Sequence, residues 1–179
     1  NGSFYSLQRP SSYAAWRDAT PAGFVFSVKG GRFITHMKKL LDCREEVDRF
    51  IALARPLQEK LGPLLYQLPP SLHKNVERLG AFLSRLPKDL EQVVEFRHKS
   101  WYDEKILEIL DRHGVGFVTH DLKGLKSPRW ASGRTASRRS ASGLSSPAER
   151  FRWTTSHREH RCTSTHSPSR TRALVASIR

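Results

Sequence analysis

The chain has 179 residues, with 31 Lys and Arg against 17 Asp and Glu, which gives a formal net charge of +14. No stretch approaches the ~18 consecutive apolar residues that a membrane span requires. The two cysteines, Cys43 and Cys162, lie far apart in unlike segments, so no disulfide framework is predicted, and a zinc site built on cysteine pairs is excluded. Residues 1–127 carry a net charge of +5 and residues 128–179 carry +9. The composition therefore divides the chain in two, and only the first part predicts a folded core.

Residues 1–127 alternate between strand and helix patterns. After a strand-like opening at 4–5 and a short helix near 13–18, the patterns predict strands at 23–29, 63–68, 93–97 and 115–120 and helices over 42–61, 71–86 and 103–113. Asp42 followed by Glu45 resembles a capping box at the start of the first of these helices, and Gly62 is predicted to end it. Ser71 is predicted to be the N-cap of the next helix. Strand–helix alternation is typical of βαβ units that form a parallel sheet with helices outside. The predicted fold class is therefore α/β, and periodicity alone does not separate a barrel from an open sheet.

The pattern ends at residue 128. The last 52 residues contain 11 Arg and 17 Ser or Thr, and they lack Lys, Asp, Asn, Gln, Tyr and Met. Such a segment cannot bury enough apolar surface to offset the entropy of ordering it, so residues 128–179 are predicted to be an Arg/Ser-rich, low-complexity, disordered tail. Three interpretations remain open for it: a nucleic-acid-binding tail, an ordinary disordered tail, and a segment translated out of frame. The abrupt change of composition favours the third.

Polar residues collect where the predicted strands end. They are Lys29, Gln67, Glu95, Arg97, His98, His120 and Asp121. Parallel α/β folds build their sites at the carboxyl ends of strands. Glu95 and Arg97 are two residues apart and share a strand face, so a structural ion pair is as well supported as a binding role. Lys29 either holds an anion or acts as a base, although a surface lysine is the commoner interpretation. His98 and His120 are better interpreted as core or loop histidines than as ligands, and no metal site is predicted.

Five motifs follow one another along residues 1–127. They are Asn1-Gly-Ser-Phe-Tyr5, Phe26-Ser-Val-Lys29 with Phe33-Ile-Thr-His36, Tyr66-Gln-Leu-Pro-Pro70, Glu95-Phe-Arg-His98 with Trp101, and Thr119-His-Asp121. Together they resemble the YecE-like family, also called domain of unknown function 72. The resemblance implies a modified TIM barrel longer than this chain, with further βα elements before Asn1 and a Tyr-x-Arg-x-His-Gly segment after Asp121. We therefore expect a partial TIM-barrel-like fold, an incomplete barrel with an exposed sheet edge.

The resemblance also implies a set of pocket residues. These are Asn1, Lys29, His36, Gln67, Glu95, Arg97, His98 and Asp121. Glu95 and Asp121 are candidate bases, Lys29 is a third candidate catalytic residue, and the others are candidate substrate-binding residues. Lys, Arg and His beside carboxylates suit a small anionic molecule such as a sugar phosphate or nucleotide.

The resemblance implies no established activity, so whether the chain is an enzyme, its cofactor and its oligomeric state are left open. Two alternatives to a small-molecule site stay open: a nucleic-acid-binding protein that acts through the basic tail, and an inactive truncated or frameshifted product. The expected location is cytoplasmic, without a membrane partner.

Overall fold

The computed structural model describes residues 2–122, 124–128, 154–155 and 175–177, and for residues 121, 122, 126 and the last two segments it describes the backbone alone. The helices of this described part are α1 (Gly2–Tyr5), α2 (Pro10–Asp18), α3 (Arg44–Ala54), α4 (Val76–Leu83) and α5 (Glu104–His113). Its strands are β1 (Val25–Lys29), β2 (Leu61–Gln67), β3 (Gln92–Glu95), β4 (Gly116–Phe117), β5 (Thr119–Leu122), β6 (Leu125–Lys126), β7 (Thr154–Thr155) and β8 (Val175–Ser177). A π-helix spans Phe33–Met37, and 3₁₀ helices span Arg55–Lys60 and Lys99–Trp101.

The main sheet has the order β4-β3-β2-β1-β8, and every pair in it is parallel. A second sheet has the order β6-β5-β7. Strands β1 to β4 are neighbours in chain order, with a helix in each connection. Sequential parallel strands belong to (β/α) barrels, whereas a doubly wound sheet reverses its strand order. The α/β prediction and the partial TIM-barrel-like prediction are both confirmed.

One face of the main sheet packs against the helices. Phe26 and Val28 of β1 are buried in the core, as the alternation of strand side chains predicts. Tyr66 of β2 is fully buried between α3 and α4, with its ring 6.1 Å from that of Phe50 and 5.0 Å from that of Phe82. The other face, which carries Lys29, points away from α3 and α4, and α1 lies against it at the end of β1.

Two predicted boundaries near the start of the chain are wrong. Residues 4–5 belong to helix α1 and not to a strand. Helix α3 begins at Arg44 after Cys43, and Asp42 has a left-handed φ of 42° and does not cap it. The reason is burial: Leu40 and Cys43 are 3% and 2% exposed, so packing of the preceding turn decides where the helix starts.

The predicted helix 42–61 is also too long. Pro56 has no N–H to donate, so α3 ends at Ala54. The chain continues to Lys60 in 3₁₀ turns that are interrupted at Gln58, whose φ is 50°. Gly62 is not a helix stop but part of β2. A Cβ at Gly62 would collide with the Val25 side chain of β1, so glycine permits the two strands to approach.

The predicted N-cap of α4 is wrong, and the predicted end of α5 is confirmed. Asn75, not Ser71, caps α4, because its Oδ1 accepts from the Arg78 N–H at 2.8 Å. The chain before it is held in a loop by Trp101, whose Nε1–H donates to the Leu72 carbonyl at 2.6 Å. Helix α5 ends as predicted, since Gly114 adopts the left-handed conformation with φ 67°.

The predicted division of the chain at residue 127 separates a described part from a segment of which the structure describes only a few residues. Within 128–179 the described residues are 128 and the short strands β7 and β8, which pair in parallel with β5 and β1. The prediction of a disordered or out-of-frame tail otherwise lies outside the described residues. Among the helices that are described, none combines the length and apolar character needed to cross a membrane.

Candidate functional site

Three predicted site residues lie together at the carboxyl ends of adjacent strands. Lys29 is the last residue of β1, Gln67 of β2 and Glu95 of β3. Gln67 and Glu95 are direct partners in the β2–β3 register, and Lys29 pairs with Leu65, two residues before Gln67. Because side chains alternate along a strand, the three share the sheet face that points away from the helices.

These side chains form one chain of hydrogen bonds and an ion pair, which we call the strand-end network and define as Lys29, Gln67, Glu95 and Arg97. The Lys29 ammonium donates to Gln67 Oε1 at 2.7 Å, and Gln67 Nε2–H donates to Glu95 Oε1 at 3.0 Å. Arg97 Nε forms an ion pair with the same Glu95 oxygen. The amide of Gln67 therefore joins a cation on one side to a carboxylate on the other.

The Glu95 carboxylate is the buried centre of this network. Its side chain is 0% exposed and that of Arg97 is 13% exposed. Its second oxygen, Oε2, is buried and has no hydrogen-bond partner in the described part of the chain. Since buried carboxylate oxygens are nearly always hydrogen-bonded, an unpartnered one marks a place where a further donor belongs.

Lys29 is half-buried and surrounded on more than one side. Its Nζ lies 4.2 Å from the centre of the Phe4 ring, and its carbonyl accepts from Ser3 Oγ at 2.8 Å. Burial lowers the pKa of Lys29, and the charge of Arg97 lowers it further, whereas the charge of Glu95 raises it. Helix α1 thus covers the lysine and keeps its ammonium in a partly desolvated place.

His36 lies on the other side of Phe4. The two rings meet edge to face at 5.1 Å, and His36 Nδ1 is 2.8 Å from the hydroxyl of its neighbour Thr35. Burial and then the charges of Lys29 and Arg32 lower the pKa of His36, which favours the neutral ring at pH 7. The structure therefore brings His36 beside the strand-end network through Phe4.

His98 points elsewhere. Its ring stacks on that of His73 at 4.1 Å, and its Nδ1 accepts from the Ser100 N–H at 3.2 Å. Burial, His73 and Lys99 lower the pKa of His98, in that order. It caps the 3₁₀ helix that follows β3 and makes no contact with Lys29, Gln67 or Glu95 among the described hydrogen bonds and ion pairs. The position of His98 after the strand does not decide where its side chain points, because the side chain caps the following 3₁₀ helix.

Two of the predicted residues lie outside the described side chains. Asn1 is not described, and for Asp121 the structure gives only the backbone, which pairs with Lys126 between β5 and β6. Their assignment to the site remains a sequence-based prediction.

His120 and Tyr102 lie beside the carboxyl end of β3. His120 is 4% exposed, and its Nε2 is 2.7 Å from the Phe96 carbonyl and 3.1 Å from the Tyr102 hydroxyl. Because a carbonyl only accepts, His120 Nε2–H donates to the Phe96 carbonyl. Phe4 and Tyr102 were not among the predicted site residues, since their places depend on contacts with Lys29 and His120, which lie far from them in the chain.

No three His, Cys, Asp or Glu side chains converge as a metal site within the described ranges. The donors of the strand-end network are instead a lysine, an arginine and an amide, which bind anions and hydroxyl groups. Sequential parallel strands, helices on one face and polar side chains at the strands' carboxyl ends together define an α/β protein of the TIM-barrel type.

The comparisons with known proteins agree with that class. The family model described as "Protein of unknown function DUF72" matches residues 1–179, which reaches beyond the five motifs of residues 1–127. The chain belongs to this family. It is similar to the UPF0759 protein YecE of Escherichia coli strain K12 and to that of E. coli O157:H7, each with 27% identity over 135 residues, which are 72% of this chain and 50% of the relative.

Solved structures of the family show the same fold. A DUF72 protein of Enterococcus faecalis V583 matches with a TM-score of 0.63 and 21% identity, covering 72% of this chain and 52% of that one. A DUF72 protein of Thermotoga maritima MSB8 matches with a TM-score of 0.59 and 33% identity, covering 68% of this chain and 49% of that one. The chain spans about half the length of the relatives that it matches.

Proposed function

We propose that the strand-end network binds a small anionic molecule, such as a sugar phosphate or a nucleotide. The observation that carries this proposal is the continuous chain from Lys29 through Gln67 to Glu95 and Arg97. It lies at the carboxyl ends of parallel strands, where barrels of this type hold their ligands.

The charges of the network favour an anion. Two cations, Lys29 and Arg97, share one carboxylate, so one positive charge is left without a partner inside the network. An ammonium has three N–H donors and a guanidinium has five. The contact with Gln67 uses one donor of Lys29, and Arg97 meets Glu95 in an ion pair through Nε. An anionic group placed beside Lys29 and Arg97 would compensate that charge in a partly desolvated place, where ionic hydrogen bonds are strong.

The same geometry suits proton transfer. Glu95 Oε1 is occupied by Gln67 and Arg97, whereas Oε2 has no partner among the described residues. In this proposal Oε2 is the atom that accepts a proton from the bound molecule, and Lys29 and Arg97 hold the negative charge that develops. Asp121 is the second candidate base on sequence grounds.

The test is calorimetric titration of the whole chain with inorganic phosphate and with ribose 5-phosphate. Lys29→Met removes the half-buried charge, and Lys88→Met is the matched control, because Lys88 is exposed in the loop between α4 and β3. We expect Lys29→Met to weaken binding about tenfold or more, the effect of losing a hydrogen-bonded ionic contact. Equal losses in the two variants would refute the proposal.

The basic segment 128–179 supports a different partner, since its net charge of +9 suits the phosphates of a nucleic acid. Binding of single-stranded RNA measured against salt, with and without residues 128–179, separates the two candidates. Binding that disappears with the segment and falls steeply with salt would assign nucleic-acid affinity to arginine electrostatics alone. Binding that survives the deletion and is lost in Arg97→Ala would assign it to the strand-end network.

A further inference from the structure

An apolar groove lies beside the strand-end network. We call it the α1 groove: it runs between α1, the loop after β1, the π-helix and α3, and its volume is about 500 Å³. Six large apolar side chains of the described residues are exposed, and four of them line this groove. The four are Tyr5, Leu7, Phe33 and Met37. Single exposed apolar residues are ordinary, but their concentration in one concavity indicates a binding surface.

The backbone around the groove is built to expose two of these side chains. Phe33 and Met37 are the first and last residues of the π-helix and are 45% and 62% exposed, whereas Ile34 between them is 2% exposed. The turn that follows holds Lys39 and Leu40 at φ values of 50° and 69°. π-Helices and left-handed non-glycine residues each cost free energy and concentrate at functional sites.

The groove and the strand-end network share a wall. Phe4 lines the groove, and its ring also lies 4.2 Å from Lys29 Nζ. Ser3 lines the groove too and donates to the Lys29 carbonyl. A molecule held by Lys29 therefore needs to extend past only one aromatic ring to reach the groove.

The charged side chains of the groove are mostly positive. Arg32 and Arg49 line it and are exposed. Its acidic residue, Glu46, is paired with Lys38 at 2.7 Å, and the same lysine lowers the pKa of Glu46. The rim therefore carries an excess of positive charge, which is complementary to an anionic ligand and not to a cationic one.

We propose that the α1 groove binds the apolar part, an aromatic ring or a short hydrocarbon chain, of a ligand whose anionic group is held at Lys29. This inference rests on the proposed function and narrows it to amphiphilic anions. A volume of about 500 Å³ is that of a small-molecule site. The positive rim and the shared wall with Lys29 favour this occupant over a second copy of the chain, whose net charge of +14 would oppose contact at a positive surface.

The test compares three probes on the whole chain by calorimetry: 1-naphthyl phosphate, inorganic phosphate and uncharged 1-naphthol. We expect the naphthyl ester to bind at least about tenfold tighter than phosphate, because the ring removes apolar area from water. Met37→Ala and Phe33→Ala should each weaken the ester roughly fivefold and leave phosphate unchanged. Leu41→Ala is the matched control, since Leu41 is 53% exposed and does not line the groove.

The outcomes separate the inference from the function on which it rests. If phosphate binds through Lys29 but the naphthyl ester binds no tighter, or if Leu41→Ala weakens the ester as much as Met37→Ala, the inference is wrong and the proposed function stands. If phosphate does not bind and Lys29→Met leaves the affinity for the ester unchanged, the proposed function is wrong. The proposal of one ligand that is held by both Lys29 and the groove is then wrong as well. If Met37→Ala abolishes self-association in sedimentation instead, the groove is an interface between copies and the inference is overturned.

Discussion

Arg97→Met leaves a buried carboxylate without its cation. The Glu95 side chain is 0% exposed, and its carboxylate accepts from the Gln67 amide and forms an ion pair with Arg97. Removing one partner of a buried ion pair costs about 3–5 kcal/mol. Because domains of this kind are stable by only about 5–15 kcal/mol, the variant should lose a large share of its free energy of unfolding.

The double variant Glu95→Gln with Arg97→Met separates charge from shape. It removes both charges and keeps an acceptor for Gln67, so we expect it to lie within about 1–2 kcal/mol of the wild type, the cost of a hydrogen bond or two. Urea unfolding followed by far-ultraviolet circular dichroism measures both variants, with unchanged slopes as the check on two-state behaviour. A single variant that loses under about 1 kcal/mol, or a double variant no more stable than the single one, would refute the reasoning.

Two further predictions concern Lys29, and two concern glycines. Burial lowers the pKa of Lys29, so its ammonium loses a proton at a lower pH than a free lysine, whose pKa is about 10.4. The affinity for sulfate, measured by calorimetry, should therefore fall as the pH rises through that lowered pKa. In Lys29→Arg the affinity should stay constant over the same pH range. Lys29→Met should raise the pKa of His36, since the lysine charge is one of the causes that lower it after burial, and the ring signals in an NMR titration report the change. Gly62→Ala should destabilise the fold by more than about 1 kcal/mol, because a Cβ there would meet β1. Gly80→Ala, in open space on α4, should instead stabilise it by about 0.5–1 kcal/mol in thermal unfolding.

The part of the site that the sequence predicts is the part set by strand geometry. Lys29, Gln67 and Glu95 are the last residues of β1, β2 and β3, and parallel strands align such ends at one edge of the sheet. The alternation of side chains then fixes which face they occupy. Hydrophobic periodicity and strand ends therefore sufficed for these three residues.

What the sequence could not predict depends on contacts between distant residues. The start of α4 follows from a loop that Trp101 holds through the Leu72 carbonyl, 29 positions apart in the chain. His98 turns toward His73 because it caps a short 3₁₀ helix, and a cap is decided by the loop that follows. The role of Phe4 depends on α1 lying over the end of β1, which no local pattern in residues 2–5 encodes.

The strand-end network is not expected to add much to the stability of the fold, and this favours a role in binding. A structural ion pair needs one carboxylate and one cation, and Glu95 with Arg97 already provides them. Replacing such a buried pair by well-packed apolar side chains is often neutral or stabilising. Lys29 adds a second, partly desolvated charge, which is linked to Glu95 through Gln67. Burial lowers the pKa of Lys29, which means that the folded state disfavours its charged form. A ligand that bears negative charge would relieve that cost, and so it gives a physical reason for the second cation that packing alone does not.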